Sequence, residues 1–384
     1  MTAFILSALA LAAWTCLAFA HGGFWRARER LNTAPEPPHW PDVVAVIPAR
    51  NEAASVERVI AGHMASDYPG AFSVVLVDDH SEDDTVARAE AAASGGARCF
   101  TIRRAPALEP NWTGKLWAVH NGLEHAKELV PDARYVLLTD ADIVHAPDTL
   151  RRLVAKAEAE DLALASLMAR LDARGLWGGL LIPAFVYFFQ MLYPFPRAND
   201  SESRVAAAAG GCMLVRRNAL VAIGGVEPIR DKLIDDCALA ARLKNDPPPR
   251  RIWIGLAKGE AVSLRDNRGL GEIWNMVART AFAQLNNSWL LLAGTVLGMT
   301  LVFLAGPVMA LARPLHESAA ASGLGFAAWA LMALTYRPTA ALYGQAAWKT
   351  VFLPAAAFLY TLMTVTSALR RMRGRSGRWK GRNY

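Results

Sequence analysis

Apolar runs of two lengths are spaced along this chain. The short ones hold four to seven residues and end in acidic or polar loops. Val43-Val-Ala-Val-Ile leads into Pro48-Ala-Arg-Asn-Glu52, Val74-Val-Leu-Val leads into Asp78-Asp-His-Ser-Glu-Asp-Asp-Thr85, and Tyr135-Val-Leu-Leu leads into Thr139-Asp-Ala-Asp142. Short continuous apolar runs of this kind predict strands buried on both faces. The first is expected to break at Pro48. Ser55 to Ser66 has helical spacing, and Ser81 with Asp84 three residues on predicts a second helix start. Strand, loop, helix, strand, acidic loop, helix is the order of an α/β nucleotide-binding half. In such sheets ligands lie beyond the carboxyl ends of the strands, where Arg50, Glu52, Asp79 and Asp142 fall.

The long runs are Thr2 to Ala20, Leu176 to Pro196, Trp289 to Ala312, Ala319 to Thr335 and Val351 to Leu369. The first has the length of a bilayer span. It is followed, not preceded, by Arg26, Arg28 and Arg30, which favours an uncleaved anchor over a signal peptide. Residues 31–42 are Pro-rich and read as a linker. Among the C-terminal runs, Ala319 to Thr335 is the shortest and carries glycines. If all four outer runs crossed, the basic tail would lie opposite the catalytic part, against the positive-inside bias. Ala319 to Thr335 is therefore the one expected not to cross. Leu176 to Pro196 would, if it crossed, separate Asp142 from Asp236. With Gly178, Gly179 and Pro183 it reads as an interfacial element against the membrane, an ordinary buried helix being the other reading.

Asp140 and Asp142, one residue apart at a strand end, offer two hard oxygen ligands. That suits Mg²⁺ or Mn²⁺, which takes one or two carboxylates and completes its shell with phosphate and water. Taken alone, Asp-x-Asp is equally a solvated turn. Farther on, Gly210 and Gly211 open a short apolar strand and permit close approach of backbone to a ligand. Asp235 and Asp236 start a helix whose Leu239, Ala240 and Leu243 share an apolar face.

These segments together resemble family 2 glycosyltransferases of the GT-A fold, over roughly residues 42–285. The resemblance rests on Pro48-Ala-Arg-Asn-Glu52, Val77-Asp-Asp-His-Ser-Glu-Asp-Asp-Thr85, Thr113-Gly-Lys115, Thr139-Asp-Ala-Asp142 and Asp235-Asp-Cys-Ala-Leu239 in that order. With its apolar helices the chain looks most like the hopanoid-associated (hopene-associated) membrane glycosyltransferases. The resemblance implies a mixed, mainly parallel α/β sheet flanked by transmembrane helices. It implies a donor site of Pro48, Arg50, Glu52, Asp79, Lys115 and Asp140, and a metal on Asp142 and Asp140. It places Gly210, Gly211 and Asp235 on the acceptor side and makes Asp236 the general base. Asp235 stands where the family has Glu. Processive synthases carry Gln-x-x-Arg-Trp; here Met276-Val-Ala-Arg-Thr280 keeps only the arginine, which argues for transfer of a single sugar. Arg279 then touches the diphosphate or pairs at a helix interface.

Composition narrows the alternatives. Hydrophobic residues are 53% of the chain, and mean hydropathy is +0.19, high for a soluble enzyme. The four cysteines have no Cys-x-x-Cys spacing, so neither zinc nor a disulfide framework is expected. The net charge of +7 equals the seven basic residues between Arg370 and Arg382. The rest is near neutral, which speaks against nucleic acid and for anionic lipid headgroups at the tail.

The expected organisation is an anchor over 1–22, a linker over 23–41 and a catalytic domain over 42–285 with an interfacial segment at 176–196. A membrane region over 286–369 and a basic tail over 370–384 complete it. The expected activity is inverting, metal-dependent transfer from a nucleotide-diphosphate sugar, a UDP-sugar first, to a lipid hydroxyl at the inner membrane, the catalytic part being cytoplasmic. The lipid, a hopanoid polyol among the choices, is expected to enter between Leu176–Pro196 and the first C-terminal span. The alternative class is a membrane protein that binds sugar nucleotide for regulation without turnover. A glycoside hydrolase also uses two carboxylates but needs no strand-end metal acids. A transporter is disfavoured because the spans lack internal ionisable residues.

Overall fold

The structure is a computed structural model that describes residues 1–96 and 98–373. Seven strands form the central sheet: β1 (Val43–Ala49), β2 (Phe72–Asp78), β3 (Cys99–Arg104), β4 (Tyr135–Leu138), β6 (Leu164–Met168), β7 (Met213–Arg216) and β8 (Ile252–Leu256). Their spatial order is β3-β2-β1-β4-β7-β6-β8. β7 runs antiparallel to both β4 and β6, and the other pairs are parallel. A separate antiparallel pair, β5 (Ile143–His145) and β9 (Ala261–Ser263), stands at the strand ends. The expected mixed, mainly parallel sheet is therefore present.

β1 is buried at all seven positions, and its alternate residues feed two cores. Val43, Ala45 and Ile47 pack against α2 (Val56–Met64), α3 (Thr85–Ala93) and α5 (Thr149–Ala159). Val44 and Val46 face the side of α4 (Gly114–Leu129), α8 (Arg217–Ala222) and α9 (Asp235–Asn245). α4 lies so close to the sheet that a Cβ on its Gly122 would stand 2.4 Å from a Val46 methyl. After β1 the chain builds β2 and β3 on one side, then crosses back to lay β4 on the other. The switch point between β1 and β4 opens a crevice at their carboxyl ends, the place where such sheets bind ligands.

The strand does not break at Pro48. It runs to Ala49, and Pro48 stays in register with Val77. Val46 turns its carbonyl toward β4, receiving Thr139 N–H at 3.4 Å, so by the two-residue period the Pro48 nitrogen faces the same way. β4 has ended there, so the missing N–H costs no ladder bond. The helix after β2 starts at Thr85 rather than Ser81. Asp83, not Ser81, accepts from the Thr85 amide at 3.1 Å. Ser81 instead accepts from Asn51 N–H at 3.0 Å, tying the two strand-end loops together.

The long apolar runs become a third core around Trp14, Tyr187, Phe303, Met332 and Met363. Five helices are long and apolar enough to cross a membrane. These are α1 (Thr2–Phe19), α6 (Gly175–Leu192), Trp289–Leu311, α14 (Ala319–Leu342) and Ala347–Met372. Trp289–Leu311 comprises α11 (Trp289–Met299), a π-turn and α12 (Gly306–Leu311). The last begins with a 3₁₀ turn and continues as α15 (Leu353–Met372). Short α7 (Phe195–Ala198) and α13 (Arg313–His316) and amphipathic α10 (Leu270–Gln284) complete the set.

Two expectations change. The third C-terminal candidate does not stop near Thr335; it extends through Pro338 to Leu342, 24 residues in all, so its length is no ground for excluding it. Leu176–Pro196 is not broken by Gly178, Gly179 or Pro183. Up to Leu192 it forms one continuous helix because burial between α14 and α15 outweighs local propensity. Tyr187 bonds Thr335 at 2.8 Å, and Tyr360 donates to the Leu181 carbonyl at 2.9 Å.

The helices also differ in what their ends meet. α1 delivers its C-terminal end to the sheet domain, where His21 bonds the Met191 carbonyl and Arg197 donates to the Ala20 carbonyl. α11 starts from Phe282 of α10 through Trp289. α14 ends at Tyr343, under the Arg170 guanidinium. Within the bundle α1, α12 and α13 pack against α14, and α1 also packs against α12. The segment after Tyr343 behaves otherwise. It rises beside α14, where Trp329 donates to the Val351 carbonyl at 3.0 Å. It then returns to α10, where Phe282 N–H donates to Ser367 and Arg370 to Asn275. α6 likewise begins at the sheet domain, beside the Asn267 carbonyl, and ends there, with Tyr193 accepting from Gln284. Both segments begin and end on the sheet-domain side of the bundle.

Candidate active site

The crevice between β1 and β4 gathers acids from two distant parts of the chain. β4 ends at Leu138, and Thr139 fixes the turn beyond it. The Thr139 hydroxyl donates to the Gly211 carbonyl at 2.7 Å and bonds His145 Nε2 at 3.0 Å, locking the β4 end to the β7 loop and β5. Asp140 and Asp142 then face one pocket together with Pro48, Glu52, Lys115, Asp235, Arg265 and Arg279. Lys115 sits in the first turn of α4, started by Thr113, whose hydroxyl accepts from Leu116 N–H. Its ammonium is 3.0 Å from Asp140 Oδ1 and 3.1 Å from Asp235 Oδ2. Burial opposes that charge, but Asp140, Asp235 and Asp236 outweigh it and raise the lysine pKa.

Asp235 and Asp236 open α9. Asp236 Oδ2 accepts from Gly210 N–H at 2.9 Å and Oδ1 from Cys237 N–H at 2.7 Å. A Cβ on Gly210 would stand 3.2 Å from the Lys115 ammonium, a tight approach. Burial and the adjacent Asp235 charge push the Asp236 carboxyl up to about 6, against the pull of Lys115 and the two amides. A carboxylate poised near neutrality is a competent proton acceptor.

Two arginines close the pocket. Arg265, just past β9, puts Nη2 2.7 Å from Asp142 Oδ2. Nothing in the sequence pattern singled it out; the only signal would have been a cation directly after a short strand, whose pairing with β5 was not legible. Arg279, expected at a diphosphate or a helix interface, faces the pocket and forms no hydrogen bond or ion pair with a described residue. Burial and Arg265 lower its pKa, partly offset by Asp140, Asp235 and Asp142.

Other expected site residues stand elsewhere. Arg50 donates to the Asp79 and His80 carbonyls, and Asp79 is fully buried; neither lines the pocket. They brace the loop that carries Glu52. Gly211 packs on Ile143, where a Cβ would be 3.0 Å away, so it shapes the site from behind instead of facing a ligand. Among the described residues no three His, Cys, Asp or Glu side chains form a metal cluster. Asp140 and Asp142 alone, sharing one pocket, suit a cation that draws its remaining ligands from phosphate and water.

Beside this pocket lies a cleft of about 1160 Å³ that shares Thr113, Lys232, Leu233 and Arg279 with it. Its walls are the end of α6 (Leu192, Tyr193), the start of α9, the end of α10 and the end of α15.

The seven-stranded order with strand-end acids is the GT-A fold. Residues 44–224 match the sequence profile of glycosyl transferase family 2. The chain is similar to the mannosyltransferase PcManGT from Pyrobaculum calidifontis, solved with GDP-Man and Mn²⁺. Identity is 20% and the TM-score 0.55, over 96% of this chain and 99% of that one. A weaker likeness is to glucosyl-3-phosphoglycerate synthase from Mycobacterium tuberculosis with Mg²⁺ and UDP. Identity is again 20% and the TM-score 0.39, over 67% of this chain and 86% of that one. No curated protein matches the sequence.

Proposed function

We propose that this protein is an inverting glycosyltransferase that moves one sugar from a nucleoside-diphosphate sugar to the hydroxyl of a membrane lipid. The observation that carries this reading is the meeting of two spaces: the acid-lined crevice at the β1/β4 switch point opens into the large apolar-walled cleft at the base of the helix bundle. Asp140 and Asp142 would hold Mg²⁺ or Mn²⁺, which, when bound, neutralises charge on the departing diphosphate. Lys115 and Arg279 face the same diphosphate position and favour the anionic leaving group. The lipid oxygen attacks the anomeric carbon, its proton passes to Asp236, and the bond from that carbon to the diphosphate oxygen breaks. Nucleoside diphosphate leaves. With a single displacement the anomeric configuration inverts. A hopanoid polyol, to which the family resemblance points, is one acceptor with the needed hydroxyl.

The helix ends support a membrane arrangement for this catalysis. α1, the α11–α12 helix and α14 would cross, while α6 and the 347–372 segment would lie on the catalytic side. Residues 42–285 would then form the catalytic domain at the inner face of a cytoplasmic membrane. Three crossings put the sheet domain and residue 373 on the same side, which resolves the charge conflict in the sequence.

The test uses the full chain in lipid nanodiscs with UDP- and GDP-sugars, Mn²⁺ or Mg²⁺, and a lipid extract. Nucleoside diphosphate release and glycolipid mass are followed. Both are expected, and both should vanish with Asp142→Asn. Donor binding without any turnover would favour the regulatory alternative.

A further inference from the structure

We infer that the lipid cleft selects an anionic acceptor, one whose headgroup carries a phosphate beside the reacting hydroxyl. The inference rests on the glycosyltransferase reading above and narrows its acceptor. The charged residues lining the cleft are Arg204, Lys232, Arg279 and Arg371 against the single acid Asp231, an excess of three positive charges. Lys232 already pairs with Asp231 at 3.4 Å. Arg204 makes no ion pair with a described residue and reaches the cleft from the loop after α7. Arg371 reaches it from the far wall, at the end of α15.

The rest of the lining is largely apolar, including Leu192, Ile234 and Phe282. A lipid entering this space displaces water from the cations as well as from the apolar wall. An uncharged alcohol would leave those cations with less solvation and no new partner, which opposes binding. A phosphate replaces the lost water with charge-assisted hydrogen bonds, for which the arginine fork is well matched. Arg279, at the boundary between cleft and catalytic pocket, is left to the donor diphosphate. The headgroup phosphate then sits between Arg204 and Arg371, and the hydroxyl lies toward Asp236. General attraction to an anionic bilayer could also come from surface cations, so the acceptor's own charge must be varied at constant surface charge.

The experiment uses the full chain in two sets of liposomes whose phosphatidylserine content is adjusted so that total anionic lipid is equal. One set contains phosphatidylglycerol, which has a phosphate and free hydroxyls, and the other contains diacylglycerol, a neutral lipid alcohol. Glycosylated phosphatidylglycerol is expected, with at least about tenfold lower kcat/KM for diacylglycerol, the size of one charge-assisted contact. In the Arg204→Gln/Arg371→Gln double variant that preference should collapse toward one, chiefly through KM for phosphatidylglycerol. Arg313→Gln, at the remote end of the bundle, should leave it intact. Equal use of both lipids by the unaltered protein would overturn the inference, as would an unchanged preference in the double variant. If neither lipid is glycosylated while water still hydrolyses the donor, the anionic acceptor is wrong and the transferase chemistry stands. If donor is not consumed under any condition, the glycosyltransferase reading falls instead.

Discussion

Asp236 is held by five influences, two raising its pKa and three lowering it, and these make its role testable. Burial and the Asp235 charge raise its pKa to about 6, while Lys115 and two backbone amides lower it. If Asp236 is the base, kcat/KM rises with pH up to about 6 and then levels. Asp235→Asn removes the like charge, so the acid limb should move to lower pH. Lys115→Met removes the counter-charge and should move it up. Asp236→Asn should lower kcat by at least about 10²-fold with donor affinity little changed, measured by calorimetry with nucleoside diphosphate. A collapse of donor affinity would place Asp236 in the donor site. A second residue effect concerns stability. His63 and His145 are buried with ring centroids 5.0 Å apart. Burial lowers both pKa values, His145 from 6.5 to about 4. Between those pH values the unfolded chain binds more protons, so stability falls as pH falls. His145 alone should account for roughly 1.5 kcal/mol between pH 6.5 and 5. The drop in Tm over that range should shrink in His63→Phe, because the remaining histidine no longer faces a second ring that must also charge. An unchanged drop would remove the pair as the source.

At the scale of elements, the short strands and their acidic ends were legible because a buried parallel strand needs a continuous apolar run and little else. The acids Asp140 and Asp142 stood out for the same reason: charges are rarely set next to such runs without a use; Asp235 and Asp236 stood out only as a helix start that the family resemblance singled out. Pro48 and the glycines of α6 misled, since local propensity is weak against tertiary burial. Arg265, the brace of Arg50 with Asp79, and the wide cleft could not be read, because each depends on segments far apart in the chain, or on loops whose paths only packing decides. The structure also redirects the obvious probe of lipid entry. Phe188 does not face the cleft; its ring lies edge-on to Phe303 at 5.3 Å and Tyr360 at 5.2 Å. Phe188→Glu would bury a charge in the bundle and should cost several kcal/mol of stability. Leu192 is 54% exposed and lines the cleft. Leu192→Glu should therefore leave Tm within a few degrees and reduce lipid glycosylation at least tenfold. A loss of Tm in Leu192→Glu as large as in Phe188→Glu would mean that α6 is not a boundary of the acceptor space.

For the whole molecule, the consequential feature is that helices of similar length and hydropathy differ in where their ends go. Hydropathy alone counts five spans, and charge bias on the sequence conflicts with an arrangement in which all four outer runs cross. The proposed arrangement, in which the last segment does not cross, would avoid the conflict. The 347–372 segment leaves the sheet domain near Tyr343, beneath Arg170, and comes back to it where Arg370 bonds Asn275. In the proposed arrangement the segment therefore begins and ends on the catalytic side. Single-cysteine labelling with an impermeant maleimide, in a background lacking Cys16, Cys99, Cys212 and Cys237, measures this directly. Cysteines at Glu317, Lys349 and Arg373 report three different heights. Glu317 lies in the turn between α13 and α14, remote from the sheet domain, and should label from the opposite side to Glu90 on α3. Lys349 bonds Gln345, and Arg373 caps α15; both should label from the same side as Glu90. If Arg373 instead labels with Glu317, the 347–372 segment crosses, the cleft loses its α15 wall on the catalytic side, and Arg371 can have no part in holding an acceptor.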